Sequence, residues 1–259
     1  MKKLWRIYRY FLHRFTARNT HGFGVHSPFL FHFICFVVEE KNPYYIFSSI
    51  ENLRDRLLKD RTKIQIEDFG TGKSRTSTIA TVVNKSVKSK KYGQLFFRIT
   101  LHTKAQSVLE LGTSLGITTA YLAAASSQLH CISLEGSQTL AALAKKNFQQ
   151  LGLKNISLIE GNIDENLEKV LESTPSFDLI FIDANHTSQA VIEYFNMCLE
   201  KIHTHSVMLV DDIYWSADML KAWKYIKQHP KVTATIDLFE TGIVFFDPNL
   251  YKKHYKVRY

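Results

Sequence analysis

From residue 93 onward, short apolar runs alternate with longer stretches of helical periodicity. The runs Ser107–Leu111, Cys131–Leu134, Ile156–Ile159, Leu179–Ile182 and Val207–Val210 read as strands. The intervening stretches Thr118–Ser127, Gln138–Leu151, Glu165–Glu172, Ser188–Lys201 and Ala217–Gln228 read as helices. Two further strands, near Val232–Leu238 and Ile243–Phe246, are separated by little more than Glu240-Thr241-Gly242. Such alternation predicts an α/β fold: a doubly wound, mostly parallel sheet of seven strands with helices on both faces. The closing pair predicts an antiparallel hairpin at one edge.

The first 90 residues follow a different pattern. At about 100° per residue, Leu4, Trp5, Ile7, Tyr8, Phe11, Leu12 and Phe15 share one face of a helix over residues 1–15. Lys2, Lys3, Arg6, Arg9, His13 and Arg14 share the other, and Tyr10 strays. A basic amphipathic helix of this kind either lies on an anionic membrane or docks its apolar face on the rest of the protein. Ser27-Pro28 reads as a helix cap followed by proline at the first helical position, opening a helix to about Glu40. Ile50–Lys59 is a further helical stretch, followed by IQIEDFGTGKSR over 64–75 and then by a polar, lysine-rich segment. Thirteen of the 33 aromatic residues fall within the first 50 positions, which predicts a packed cap or lid. The resulting division is a helical region over 1–90, the α/β domain over 91–248 and a basic tail over 249–259.

Composition narrows the class. The 259 residues are 45% hydrophobic and 22% charged, which excludes disorder, collagen and coiled coil as global descriptions. Cys35, Cys131 and Cys198 are scattered and share no ligand-like spacing, arguing for a reducing compartment and against zinc. Residues 1–106 carry 20 Lys and Arg against 7 Asp and Glu, whereas residues 107–259 carry 13 against 17. The basic end points to an anionic partner. No apolar run approaches the ~20 residues a membrane span needs, and Arg6, Arg9 and Arg14 interrupt any secretory-type run. The expected location is the cytoplasm.

Open α/β sheets bind ligands at the carboxyl ends of their strands. The first strand of the regular part runs into Glu110-Leu-Gly112-Thr-Ser114-Leu-Gly116-Ile-Thr118, whose glycines permit a sharp turn and close backbone approach. Ser114 stands where a dinucleotide fingerprint requires its second glycine, so no pyrophosphate cradle is encoded. The Gly70-Thr71-Gly72-Lys73-Ser74 string is not a phosphate loop either, because Glu67 occupies the position of its first glycine. The second strand ends in Glu135, a carboxylate able to accept both hydroxyls of a ribose.

These residues resemble motif I of the class I S-adenosylmethionine (SAM)-dependent methyltransferases, in the form found in catechol and caffeoyl-CoA O-methyltransferases. Tyr92-Gly93-Gln94-Leu95 is similar to the segment preceding that motif, and Glu160-Gly161-Asn162-Ile163 to the loop at the adenine edge. Phe181-Ile182-Asp183-Ala184-Asn185-His186 resembles F-[IV]-D-A-D-K, and Val210-Asp211-Asp212 the later D-N pair. The resemblance spans roughly 91–246.

The resemblance implies a SAM-dependent methyltransferase acting on a hydroxyl of a small molecule. Its cofactor site would comprise Gly93, Glu110, Gly112, Ser114, Gly116, Thr118, Glu135, Gly161, Asn162, Ile163 and Asp183. Within it Glu110 and the Gly112 backbone hold the methionine amino group, and Thr118 holds its carboxylate. Glu135 takes the ribose, while Asn162 and Ile163 border the adenine. Asp183, Asp211 and Asp212 would hold Mg²⁺, or else Ca²⁺ or Mn²⁺, because oxygen donors suit hard cations. Asn185 and Trp215 would meet the acceptor. The family's catalytic lysine is replaced by His186, and a histidine of ordinary pKa, about 6.5, serves as a general base at neutral pH. His186 and Asp183 are thus the candidate catalytic residues. The partner is a small-molecule acceptor, with a homodimer, nucleic acid (not favoured, for want of interleaved aromatics) and peripheral membrane contact through residues 1–15 as alternatives. A transfer RNA or other RNA methyltransferase, and a non-catalytic membrane-associated binding protein on the same fold, are the competing functions.

Overall fold

The computed structural model describes residues 2–67 and 74–259. In chain order the elements are α1 (Lys2–Thr16), α2 (Pro28–Phe33, continued by a π-helical turn Ile34–Val38), α3 (Tyr45–Lys59), β1 (Lys63–Ile66), β2 (Arg75–Thr78), α4 (Ile79–Ser86) and α5 (Lys90–His102). Then follow β3 (Ser107–Leu111), α6 (Ile117–Ala123), β4 (His130–Glu135), α7 (Gln138–Leu151), β5 (Ile156–Glu160), α8 (Ile163–Ser173), β6 (Leu179–Ile182) and α9 (Ser188–Cys198). The chain closes with β7 (Val207–Asp211), α10 (Ala217–Gln228), β8 (Ala234–Asp237), β9 (Thr241–Phe245) and β10 (Lys253–Lys256). The fold is α/β, and its central sheet of eight strands is mostly parallel. The segment Gly70–Lys73 lies outside the described residues.

The chain forms two compact units, one of residues 41–174 and one of residues 1–40 with 175–259. In the first, β3, β4 and β5 run parallel, with Ser107 opposite His130 and Cys131 opposite Ile156. Ser137 caps α7 by accepting the Leu140 amide, and Gly152 ends that helix with a left-handed φ of 70°. Phe47, Ile50, Leu53, Val82, Phe97 and Tyr121 make a core that joins α3 to α6. Gly93 lies within α5 against Tyr121: a Cβ there would sit 2.5 Å from the ring. Packing therefore requires glycine at this position. Strands β1 and β2 pair antiparallel, and the polar, lysine-rich segment that follows is largely helical, in α4 and α5.

In the second unit β6 and β7 are parallel, β7 pairs antiparallel with β9, and β9 with β8. The predicted hairpin is present but does not form the edge. Residues 253–256, expected as part of a tail, add an eighth strand parallel to β8, with Lys253 opposite Ala234. Tyr255 and Val257 are buried, while His254 and Arg258 are exposed and Lys256 is half-buried. This is a period of two that the cations mask.

Helix α1 also departs from expectation. It does not bury its apolar face; the face that docks carries Arg6, Arg9 and His13. His13 is 3% exposed and its Nε2 lies 2.9 Å from Asp237 Oδ1, whereas Leu4 is 72% and Phe15 78% exposed. Tyr214 and the Trp223 indole also donate to Asp237 Oδ2, at 2.8 and 3.4 Å. The buried His13–Asp237 contact and these further hydrogen bonds to Asp237 fix which face of the helix docks. No helix among the described residues is long and apolar enough to cross a membrane.

Candidate active site

In the unit of residues 41–174, the strand ends of β3 and β4 meet around two glutamates. Glu110 lies inside β3 and is fully buried. Its Oε2 accepts from Thr119 Oγ1 and, at 2.5 Å, from Ser133 Oγ, which also bonds Thr113 Oγ1. Its Oε1 is buried without a hydrogen-bond partner. Burial pushes the carboxyl up to about 7, against the hydrogen bonds from Ser133 and Thr119, which pull it down.

The turn after β3 is built on left-handed residues: Gly112 at φ 101°, Ser114 at 51° and Gly116 at 77°. Gly116 begins α6 and has no room for a Cβ, which would lie 2.4 Å from Phe148. This turn aims the Ser114 amide at Glu135 Oε2, 2.7 Å away, while Glu135 Oε1 accepts the Ser137 amide at 2.8 Å. Burial raises the Glu135 carboxyl, and the amides of Ser137, Ser114 and Gly136 oppose it. The two oxygens have four acceptor positions between them, so with three amides directed at them one remains for a ligand hydroxyl. Ser114 Oγ is also buried without a partner. The Gly112 amide donates to Leu134 O at 3.0 Å, which leaves its carbonyl as the group that can serve a ligand. Thr118 is buried in the first turn of α6.

Beyond β5, Gly161 at φ 117° donates its amide to Glu135 O at 2.9 Å, so the third strand end is tied to the second. Asn162 caps α8 through the Asp164 amide, and Ile163 follows half-buried. Glu67 was not singled out from the sequence as a site residue. Its carboxylate accepts Ser137 Oγ and the Gln138 amide, both at 3.1 Å, beside Glu135. Ser133 and Thr119 were missed too, although a serine inside an apolar strand is a signal of a buried polar partner.

The unit of residues 1–40 and 175–259 holds the remaining candidates. Asp183 follows β6, half-buried. Asn185, at φ 52°, donates to Tyr194 Oη at 3.4 Å. His186 is 40% exposed, with Nδ1 3.9 Å from Asp212 Oδ2 and its ring 6.4 Å from that of Trp215. The guanidinium of Arg6 sits 4.9 Å over the Trp215 ring and 4.0 Å from Glu240 Oε1. Arg6 thus joins His186 and Trp215 in one cluster, which nothing in its local sequence indicated.

The expected metal site at Asp183, Asp211 and Asp212 is not shown by the structure. Asp211 is buried within β7 and its Oδ1 accepts Thr241 Oγ1 at 2.8 Å. Asp212, at φ 52°, turns toward His186 instead. Among the described residues no group of three or more His, Cys, Asp or Glu side chains is placed to hold a metal ion.

Residues 109–213 match a family model described as a methyltransferase domain. No curated protein matches the sequence. Among solved structures, the O-methyltransferase from Bacillus cereus in complex with SAH is 18% identical, with a TM-score of 0.58 over 83% of this chain and 96% of that one. The O-methyltransferase TomG from Streptomyces achromogenes, involved in tomaymycin synthesis and in complex with SAM, is 16% identical, with a TM-score of 0.58 over 82% and 94%. The SAH-bound methyltransferase PaMTH1 from Podospora anserina is 15% identical, with a TM-score of 0.56 over 80% and 99%. The fold is therefore that of the SAM-dependent methyltransferases.

Proposed function

We propose that this chain, a methyltransferase-domain protein over residues 109–213, transfers the methyl group of SAM to a hydroxyl of a small molecule. The observation that carries the reading is the Ser114 amide held 2.7 Å from the Glu135 carboxylate. It closes the glycine turn over a carboxylate that keeps an acceptor position for a ribose hydroxyl. The unpartnered Oε1 of Glu110 supplies a second acceptor for a cationic amino group. Bound SAM supplies an electrophilic methyl carbon on a sulfonium.

His186 takes the proton from the acceptor hydroxyl as its oxygen bonds the methyl carbon, whose carbon–sulfur bond breaks to leave the neutral thioether of S-adenosylhomocysteine. Asp212, whose Oδ2 lies 3.9 Å from Nδ1, favours the imidazolium that results. Trp215 and Asn185 orient the acceptor, and Asp183 closes the β6 strand end. In-line positioning of the reactants supplies a large share of the rate.

Calorimetric titration of S-adenosylhomocysteine tests this. Wild type should bind, and Glu135→Ala should weaken binding by about 1–3 kcal/mol through lost hydrogen bonds to a charged acceptor. Equal affinity of the two proteins would remove Glu135 from the site.

A further inference from the structure

Helix α1 turns its apolar stripe to solvent. Leu4, Ile7, Tyr8, Phe11 and Phe15 are all exposed, and at about 100° per residue they occupy one continuous strip. The strip cannot roll inward, because the opposite face is fixed at several points. His13 is paired with Asp237, the Arg9 guanidinium sits 5.0 Å from the Tyr214 ring, and Arg258 Nε donates to the Arg14 carbonyl at 2.9 Å. Exposed Lys3 and Arg14 edge the strip, exposed Arg18 follows it, and residues 1–38 contain no Asp or Glu.

We propose that α1 lies in the surface of an anionic lipid bilayer, its axis in the membrane plane and its apolar strip set among the acyl chains. Apolar burial and the attraction of the flanking cations to acidic headgroups act together there. A helix of 15 residues is about 22 Å long, which is too short to span the ~30 Å hydrocarbon core. Charge decides against a second copy of the chain as occupant. A two-fold contact through the strip would bring Lys3 and Arg14 of both copies together with no acid on the helix to pair them.

The test is sedimentation of the full-length protein with vesicles of phosphatidylcholine, with and without phosphatidylglycerol, at low and high salt. Pelleting should be at least about tenfold stronger with the anionic vesicles and should fall as salt screens the cations. Phe11→Ser/Phe15→Ser removes two exposed rings, so its thermal midpoint should match wild type while pelleting drops about tenfold or more. No pelleting with anionic vesicles, or equal pelleting by the variant, overturns the proposal. So does a concentration-dependent dimer, seen by sedimentation velocity, that the same variant dissolves.

Discussion

Glu110 is a carboxyl group in a fully buried position, and its environment gives it a neutral-range titration. Burial raises its pKa to about 7 from a usual 4.5, although Ser133 and Thr119 donate to it. The folded chain therefore keeps a proton that the unfolded chain has already released between those two values. Where the native state binds more protons, stability falls as pH rises. Wild type should lose of the order of 3 kcal/mol between pH 4.5 and 8 from this group, and Glu110→Gln should lack that loss. Urea unfolding of both proteins at pH 5 and pH 8 checks it; parallel losses would place the titration elsewhere. Glu110 and Glu135 were legible in the sequence because glycines at fixed offsets mark the turn that joins them. Glu67 and Arg6 were not, since each reaches its neighbours from an element far away in sequence.

The elements that place this chemistry are a strand, a tight left-handed turn and a short helix. Gly116 is the point at which they depend on one residue. Its φ of 77° disfavours any side chain, and a Cβ would lie 2.4 Å from Phe148 and 3.2 Å from Ala144. Gly116→Ala should cost about 1–3 kcal/mol in urea unfolding. It should also loosen the Ser114–Glu135 hydrogen bond, so S-adenosylhomocysteine affinity falls along with stability. A variant as stable as wild type would show that the turn relaxes freely. Strands β3, β6 and β7 were readable because each is an apolar run buried along most or all of its length. The β1–β2 hairpin and β10 were hidden: their residues are mostly polar or cationic, and short polar strands do not stand out from loops.

At the scale of the molecule, both ends of the chain belong to one unit. Asn19 and Lys256 exchange backbone and side-chain hydrogen bonds, at 3.0 Å each, and His13 pairs with Asp237 across 224 residues. Periodicity showed which residues of α1 share a face, but the choice of docking face rests on that distant aspartate, which a local pattern cannot contain. Burial pushes the Asp237 carboxyl up, yet His13, Tyr214 and the Phe239 amide outweigh it and hold it below the usual range. A depressed carboxyl contributes stability above its unfolded pKa and loses it as pH falls through the folded value. The anchoring of α1 should therefore survive at pH 5 and weaken below about pH 4. His13→Ala leaves the buried Asp237 carboxyl without its His13 partner and should cost about 1–3 kcal/mol. His13→Leu/Asp237→Asn leaves no buried charge and should cost less than the single change. Urea unfolding gives the two values, and tryptic cleavage after Arg14 and Arg18 reports release of the helix. If the double variant is the less stable of the two, the pair itself holds the helix, and relief of an isolated charge is not the larger effect.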